Sequence, residues 1–211
     1  TGFTVAQTNW DGRRTQHTRD ELNRLASSYD QTNQQLIASY AYSGPSRLIQ
    51  TNLGDGSTTT YQYETSGCGC GGFTNYIESV TSTDEFGGLL FSTDRKYDVL
   101  GNVTVERWGH RNNFGNVFRY DDIYRLEDRY EDVDLNGGNF DFFADPSSTP
   151  TSFSLNTNWG LDPMGNRTQV LEFNSGGTLV GADSYTLSTD GMNLYTDVFF
   201  SGLGNLQYQH D

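Results

Sequence analysis

The chain has 211 residues and a formal net charge of −14, with 13 Lys and Arg against 27 Asp and Glu. This acidity argues against nucleic-acid binding, which needs clustered Lys and Arg. No apolar run approaches the roughly 18 residues of a membrane-spanning helix. Hydrophobic residues make up only 34% of the chain, but it has 13 Tyr and 13 Phe. We therefore expect a thin β structure whose buried surface depends on aromatic rings, each covering about 150–250 Å².

Short alternating segments, separated by turns that contain Gly and Asp, recur along the whole chain. An entering strand and a turn are expected within residues 1–20. Strands are then predicted at residues 33–42, 48–52, 58–63, 73–80, 89–97, 102–108, 117–120, 126–132, 153–159, 168–173, 178–187, 194–200 and 206–210. Leu22 and Leu25 stand at a helical spacing, but the turn pattern around them favours a hairpin. The predicted fold class is all-β.

The best-defined turn lies at residues 95–104. Tyr97 and Asp98 are followed by two spacer residues, then by Gly101, Asn102 and an alternating run that starts at Val103. An Asp in this position can accept hydrogen bonds from the backbone N–H groups that follow it. Glycine supplies a position at which positive φ costs little, as short hairpin loops require. The pattern predicts a β-hairpin.

Other segments repeat parts of this turn, some with Asn at the glycine position, where Asn is the next best residue at positive φ. The candidate turn residues are Asp20, Asn23, Arg24, Tyr42, Arg47, Asp84, Gly87, Tyr97, Asp98, Gly101, Asn102, Tyr120, Asp121, Arg125, Asp162, Gly165, Asn166, Gly204 and Asn205.

This pattern resembles the YD-repeat, or Rhs-repeat, family, whose motif reads roughly Tyr-Asp-x-x-Gly-Arg/Asn-Leu. The resemblance covers most of the chain. It implies successive β-hairpins in one continuous, twisted or spiralling antiparallel sheet. In Rhs toxins and insecticidal toxin complexes such a sheet closes as a hollow shell around a toxic domain, and teneurins use a similar shell outside animal cells. The aspartic autoprotease region of the toxin members has no match here. The resemblance therefore implies a scaffold without catalytic residues.

The turns also recur at an offset of 78 residues. At this offset Asp20 aligns with Asp98, Tyr42 with Tyr120, and Asp84 with Asp162. We interpret residues 1–211 as one repeat region. It contains an approximate internal duplication, residues 9–86 and 87–164, followed by divergent repeats at 165–211.

Two cysteines, Cys68 and Cys70, lie in a Gly-rich stretch and resemble half of a zinc site. Because no second pair exists and the three His are scattered, a disulfide or thiol pair is favoured over a metal site. Residues 132–137 are similar to an EF-hand loop without its bidentate Glu, and solvated turn residues explain them more simply. No metal and no cofactor is predicted.

The sequence has no Ser-His-Asp order, no Gly-x-Ser-x-Gly and no phosphate-binding Gly loop, so we expect no enzymatic activity. Trp10, Trp108 and Trp159 leave one alternative open. If they share an exposed face, the chain is a carbohydrate-binding or adhesive module with a surface polysaccharide as partner. If they are buried, they are packing residues of a scaffold.

About three hairpins per 78 residues are too few to close a shell, so we expect an open ribbon whose unpaired edges recruit other strands. The leading expectation is an extracellular structural scaffold that assembles head to tail with other copies of itself into a filament or sheath. The alternative is a fragment of the hollow shell of a longer YD-repeat toxin-type protein. The chain begins at Thr1 rather than Met, which favours a processed or excerpted chain.

Overall fold

The computed structural model describes residues 4–65, 73–136, 149–187, 195–200 and 204–207. Within these ranges the chain consists of antiparallel strands joined by hairpins, and the only helical element is a 3₁₀ turn at Gly109–Arg111. The predicted all-β hairpin fold, with open rather than closed sheets, is confirmed. None of the described residues forms a helix that is long and apolar enough to cross a membrane. Cys68 and Cys70 lie outside the described residues.

The chain divides into two compact units, residues 1–95 and 96–211. In the first unit the strands lie side by side in the order in which they follow along the chain. Their bounds are β1 Thr4–Thr8, β2 Arg14–Arg19, β3 Leu25–Asp30, β4 Gln35–Ser43, β5 Arg47–Leu53, β6 Thr58–Thr65, β7 Phe73–Thr83 and β8 Leu89–Tyr97, the last of which crosses the division.

The second unit follows the same rule, each strand pairing antiparallel with the next one along the chain. Its strands are β9 Val103–Trp108, β10 Phe114–Tyr120, β11 Leu126–Asp134, β12 Leu155–Leu161, β13 Arg167–Asn174, β14 Leu179–Leu187, β15 Tyr195–Phe200 and β16 Gly204–Gln207.

The predicted strands overlap most of these strands, although β7 and β10 are each three residues longer than predicted, β16 lies two to three residues earlier, and residues 1–20 hold two strands rather than one. Three further differences have a structural reason. Strand β3 was not predicted, because its side chains are mostly small or polar and Ser28 is buried opposite Ala38. Strand β4 begins at Gln35 because Gln34 has φ 56° and belongs to the preceding turn. The strand predicted at residues 126–132 continues to Asp134, so β11 extends into the segment that is similar to an EF-hand loop.

The core of the second unit lies on one face of β9, β10 and β11. Its buried side chains are Val105, Val117, Tyr130, Val133 and Leu135, and Phe153 packs edge to face on Tyr130 with ring centres 5.2 Å apart. Val117 lies opposite both Val105 and Tyr130 in the register. The aromatic pair of Tyr130 and Phe153 contributes to this cluster, as expected, but β-branched valines on three adjacent strands contribute as well.

Gly115 allows β9 and β10 to pack closely under this core. A Cβ at Gly115 would overlap the carbonyl oxygen of Glu106 and lie 2.8 Å from Leu135 Cδ1. In the first unit the buried side chains are smaller, among them Ser28, Ala38 and Thr93.

Candidate functional site

The turn that begins at Asp98 closes with two backbone hydrogen bonds. Asp98 N–H donates to the carbonyl of Asn102 at 2.9 Å, and Gly101 N–H donates to the carbonyl of Asp98 at 3.1 Å. Gly101 has φ 90°. This is a three-residue hairpin loop, a type I turn followed by a left-handed residue that forms a G1 bulge.

The same pair of backbone bonds, at 2.8–3.1 Å, closes seven other turns within the described residues. We refer to all eight as five-residue turns. They span residues 9–13, 20–24, 53–57, 84–88, 98–102, 121–125, 162–166 and 174–178. In every one the fourth residue has positive φ: Gly12, Asn23, Gly56, Gly87, Gly101, Tyr124, Gly165 and Gly177.

The first side chain of six of these turns caps the backbone inside the loop. Asp98 Oδ1 accepts hydrogen bonds from the N–H groups of Leu100 and Asn102, both at 2.9 Å. Asp20, Asp84, Asp121, Asp162 and Asn174 accept the equivalent pair of bonds. Two otherwise unpaired backbone donors are thus satisfied in each loop.

In four of these turns the side chain of the fifth residue bonds to the second oxygen of the same carboxylate. Arg24 Nε donates to Asp20 Oδ2 at 2.7 Å, and Arg125 Nε donates to Asp121 Oδ2 at 2.7 Å. Where the fifth residue is Asn102, its Nδ2 donates to Asp98 Oδ2 at 2.8 Å. Asn166 and Asp162 repeat that arrangement at 2.9 Å.

These bonds lower the pKa of four of the turn carboxylates. The pKa of Asp20 lies below its ordinary value of 3.8, chiefly because the side chain of Arg24 donates to it. The pKa of Asp121 is lowered first by the backbone N–H of Arg125, and that of Asp162 first by the side chain of Asn166. Burial raises the pKa of Asp98, but the hydrogen bonds from Asn102 and Leu100 outweigh it, so this pKa is also lowered.

A tyrosine at the end of a strand ties one hairpin to the hairpin before it. Tyr42 Oη donates to the carbonyl of Leu25 at 2.9 Å, while the guanidinium carbon of Arg24 lies 4.3 Å from the centre of its ring. Tyr120 Oη donates in the same way to the carbonyl of Val103 at 2.8 Å. Burial, and then the charge of Asp98, raises the pKa of Tyr120.

Tyr63 forms a third tie of this kind that was not predicted. Its Oη donates to the carbonyl of Leu48 at 2.9 Å, and the guanidinium carbon of Arg47 lies 5.6 Å from its ring centre. The signal was present in the sequence, because Tyr63 follows Leu48 at a spacing close to that of Tyr42 after Leu25. No Asp follows Tyr63, so the turn motif did not include it.

The remaining predicted turn residues lie at or beside hairpins. Tyr97 ends β8, and Arg47 begins β5 opposite Ser43, after a loop in which Gly44 has φ 60°. The prediction that Gly204 and Asn205 are turn residues is wrong. They lie in β16, paired with Phe200 and Phe199, because the strand starts directly at Gly204.

The five-residue turn at residues 174–178 lies between two predicted strands, 168–173 and 178–187, but it was not among the predicted copies of the motif. It has Asn174 in place of the first Asp and Gly177 at the left-handed position. Its amide oxygen accepts the same two backbone bonds as an Asp carboxylate. With Asn allowed for Asp at the first position, the motif includes this turn, because Asn174-Ser175-Gly176-Gly177 parallels Asp84-Glu85-Phe86-Gly87.

The 78-residue offset matches equivalent hairpins at two of its three anchors. Asp20 follows β2 and Asp98 follows β8, a difference of six strands, and Tyr42 in β4 and Tyr120 in β10 also differ by six. Asp84 follows β7 but Asp162 follows β12, a difference of five strands. At the third anchor the offset therefore does not match equivalent hairpins, because one turn follows an odd-numbered strand and the other follows an even-numbered strand.

The three tryptophans behind the carbohydrate-binding alternative differ in exposure, and Asp132 of the segment similar to an EF-hand loop is paired with an arginine. Trp10 is 99% exposed in the turn at residues 9–13, whereas Trp108 and Trp159 are half-buried in β9 and β12. Asp132 lies in β11, where Arg111 Nη2 donates to its Oδ1 at 2.8 Å. No group of three or more His, Cys, Asp or Glu in the described ranges is arranged to hold a metal ion.

A basin of about 390 Å³ lies at the turns of residues 98–102 and 121–125. We call it the Tyr120 basin. It is lined by Asp98, Thr104, Phe118, Arg119, Tyr120, Asp121, Tyr124, Glu127 and Asp128.

The sheet is similar to parts of solved toxin structures. The crystal structure of TcdB2-TccC3 matches with a TM-score of 0.67 at 18% identity, over 95% of this chain and 10% of that chain. The crystal structure of TcdB2-TccC3-TEV gives 0.66 at 18% identity, over 93% and 10%. The Tc holotoxin pore of Photorhabdus luminescens gives 0.58 at 17% identity, over 98% and 12%. The fold is related to theirs.

The chain spans only about a tenth of the length of these neighbours. No protein-family model matches it, and neither does any curated protein. At this level of identity the likeness shows the fold alone, so membership of the YD-repeat family remains an interpretation of the turn motifs.

Proposed function

We propose that this chain is a non-enzymatic wall segment of a larger extracellular β-repeat protein, in which its sheet continues into further hairpins. The observation that carries the proposal is the likeness to TcdB2-TccC3, which extends over 95% of this chain and only 10% of that one. In the toxin members of the family that the turn motif resembles, such sheets form a hollow shell. Further repeats of the same kind are therefore the proposed partners.

The turn geometry supports this role. The side chains of the repeated motif bond within their own turn and to the neighbouring hairpins. Asp20 accepts from the backbone of its own turn, and Arg24 donates to Asp20 and to the carbonyl of Gly44 in the next hairpin. Tyr42 donates to the carbonyl of Leu25 in the hairpin before it. Such bonds fix the spacing and direction of successive hairpins. A wall needs this rigidity, because it must keep its curvature over many strands.

Hydrogen exchange in an extended chain tests the proposal. In the extended chain a second copy of residues 14–30, which form a hairpin of two strands, is joined by a turn to the start of β1. The added hairpin offers β1 the neighbouring strand that a continuous wall provides. We expect the outward N–H groups of β1 to exchange at least about tenfold more slowly in the extended chain. A Gly/Ser extension of equal length is the control and leaves them unchanged. Equal exchange in both chains contradicts a continuous wall.

One observation favours a second candidate, head-to-tail assembly of copies into a filament. All five residues of β1 are exposed, and within the described part of the chain β1 pairs with β2 alone. An exposed edge of this kind can add a strand from another chain. Light scattering and negative-stain microscopy at rising protein and salt concentrations distinguish the two candidates, since a wall segment stays monomeric.

A charged side chain at this edge refines the filament test. Val5 lies in β1, and Val5→Lys places a charge where another strand would approach. Val180→Lys is the matched control, because Val180 is similarly exposed on β14, which has a strand on either side. If fibres form, Val5→Lys abolishes them and Val180→Lys does not.

A further inference from the structure

Within the first unit the chain twice places an arginine over the ring of a tying tyrosine. The guanidinium carbon of Arg24 lies 4.3 Å from the ring centre of Tyr42, and that of Arg47 lies 5.6 Å from that of Tyr63. In both cases the tyrosine hydroxyl donates to the carbonyl of the residue directly after the arginine. The hydroxyl bond thus places the ring beside the preceding turn, where the guanidinium can cover it.

Tyr120 keeps the hydroxyl bond but lacks the arginine. Its Oη donates to the carbonyl of Val103, and the residue before Val103 is Asn102. The short side chain of Asn102 is bonded back to Asp98 Oδ2 at 2.8 Å. Tyr120 also lines the Tyr120 basin of about 390 Å³.

The charges around the Tyr120 basin favour a cation. Four carboxylates line it, those of Asp98, Asp121, Glu127 and Asp128, against one cation, Arg119. The carboxylate of Asp121 is already paired with Arg125 at 2.7 Å, which leaves three carboxylates against one guanidinium. That guanidinium is directed at another ring, since its carbon lies 5.6 Å from the ring centre of Tyr130.

We propose that the Tyr120 basin is a binding site for a guanidinium group supplied by another molecule. The face of the Tyr120 ring attracts a cation, and planar guanidinium groups both stack on aromatic rings and pair with carboxylates. The incoming group takes the place that Arg24 occupies over Tyr42 and bonds to Asp98 and Glu127. The site is independent of the proposed wall function.

The binding test is a titration of the isotope-labelled chain followed by NMR. Methylguanidinium is expected to cause saturable shifts at the Tyr120 ring and at the amides of Asp121 and Tyr124, with a Kd on the order of millimolar for one stacked and ion-paired group. Methylammonium binds more weakly because it cannot stack as a plane, and urea, which is planar but uncharged, does not bind. Equal responses to urea and methylguanidinium overturn the proposal.

Variants show whether the response belongs to this basin. Asn102→Arg supplies an internal guanidinium that can pair with Asp98 as Arg24 pairs with Asp20, so the saturable response at Tyr120 should disappear. Asn166→Arg is the matched control, because it makes the same change at the fifth position of another five-residue turn, and it retains the response. A folded Asn102→Arg chain that still binds overturns the site.

Glu127→Gln provides a test that leaves the turn intact, because Glu127 is exposed and lies outside the five-residue turn. Loss of one exposed ion pair should weaken methylguanidinium binding by about two- to fivefold. An unchanged Kd contradicts the proposed site. A short peptide with a single Arg, compared with its Lys counterpart, then identifies the source. Binding of the Arg peptide assigns the site to a protein side chain, and binding of methylguanidinium alone assigns it to a small free cation.

Discussion

At the scale of single residues, the left-handed fourth position is the most restrictive feature of the five-residue turn. Gly or Asn occupies it in seven turns, and Tyr124, with φ 64°, is the exception. A bulky side chain in this conformation costs about 1–2 kcal/mol. The turn at Tyr124 nevertheless closes with the same bonds, and the ion pair between Arg125 and Asp121 supports it. The hydrogen bonds and the ion pair of the neighbouring residues thus offset the backbone strain at Tyr124.

The first prediction compares two opposite substitutions at this position. Gly101→Val forces a β-branched side chain to φ 90°, so we expect it to lower the free energy of unfolding by about 1–2 kcal/mol. Tyr124→Gly removes the corresponding strain and should raise it by up to about 1 kcal/mol. Urea denaturation followed by circular dichroism measures both. A Gly101→Val chain as stable as the parent would show that the left-handed position does not restrict side chains.

The second prediction concerns the tie between Tyr42 and Leu25. Tyr42→Phe removes the hydroxyl bond of 2.9 Å but keeps the ring under Arg24, and the lost bond is worth about 0.5–1.5 kcal/mol. Tyr42→Leu should cost more, because it also removes the cation–π contact. Tyr61→Phe is the control, since the described residues offer the Tyr61 hydroxyl no partner. Equal urea midpoints for Tyr42→Phe and Tyr61→Phe would contradict the tie.

At the scale of the hairpin, the turn carboxylates predict an acid sensitivity. The pKa values of Asp20, Asp121 and Asp162 are lower in the folded chain than the ordinary 3.8 of an unfolded one. Their contribution to stability is therefore complete above about pH 4 and is lost as the pH falls through the lowered values. We expect urea midpoints to be constant between pH 7 and pH 5 and to drop between pH 4 and pH 2.

The substitution Asp20→Asn distinguishes the loss of stability caused by protonation of a turn carboxylate from the loss caused by protonation of the other acidic residues. Asp20→Asn keeps an oxygen that can cap the loop, as Asn174 does naturally, but it cannot titrate. This variant should be less stable than the parent at pH 7, where it lacks the ion pair with Arg24, and should lose less stability on acidification. If both chains lose the same stability between pH 4 and pH 2, Asp20 does not contribute to the acid transition.

Much of the order of strands and turns could be predicted from the sequence, because the alternation of a strand and the spacing of a turn motif are both local patterns. Period-two alternation predicted β8 with the bounds that the structure shows, and the Asp-to-Gly spacing located the turns at Asp98 and Asp162. Strand β3 escaped because burial of Ser28 depends on its neighbours on β2 and β4, including His17, whose Nδ1 lies 2.9 Å from its hydroxyl.

What could not be predicted involves groups that are distant in sequence. The arginine–tyrosine stacks join residues of successive hairpins, and their geometry depends on the register of strands that the turn motif does not specify. The aliphatic core depends on which valines become opposite neighbours, as Val105 and Val117 do. The proposed role of the Tyr120 basin could not be predicted either, because the contrast between Asn102 and an arginine has meaning only once the stacks at Tyr42 and Tyr63 are known.

At the scale of the whole molecule, the two units differ in what they bury. The second unit buries Val105, Val117 and Leu135 almost completely, and such aliphatic side chains contribute about 1.5–3 kcal/mol each when fully buried. The described residues of the first unit bury Ser28, Ala38 and Thr93, which have little apolar surface to remove from water. The first unit therefore depends more on its hydrogen bonds and turns.

This difference predicts unequal protection of backbone amides within one chain. Strands β3 and β10 are a matched pair, because each lies between two antiparallel neighbours. Local opening exposes little apolar surface at β3, but at β10 it exposes the buried core around Val117, so the free energy of opening should be higher at β10. Native-state hydrogen exchange followed by NMR should show slower exchange for the bonded amides of β10. Val117→Ala should accelerate exchange there, whereas Val180→Ala, at an exposed site, should not. Protection of β3 equal to that of β10 would mean that turns and strand pairing alone, rather than the aliphatic core, determine the stability of these sheets.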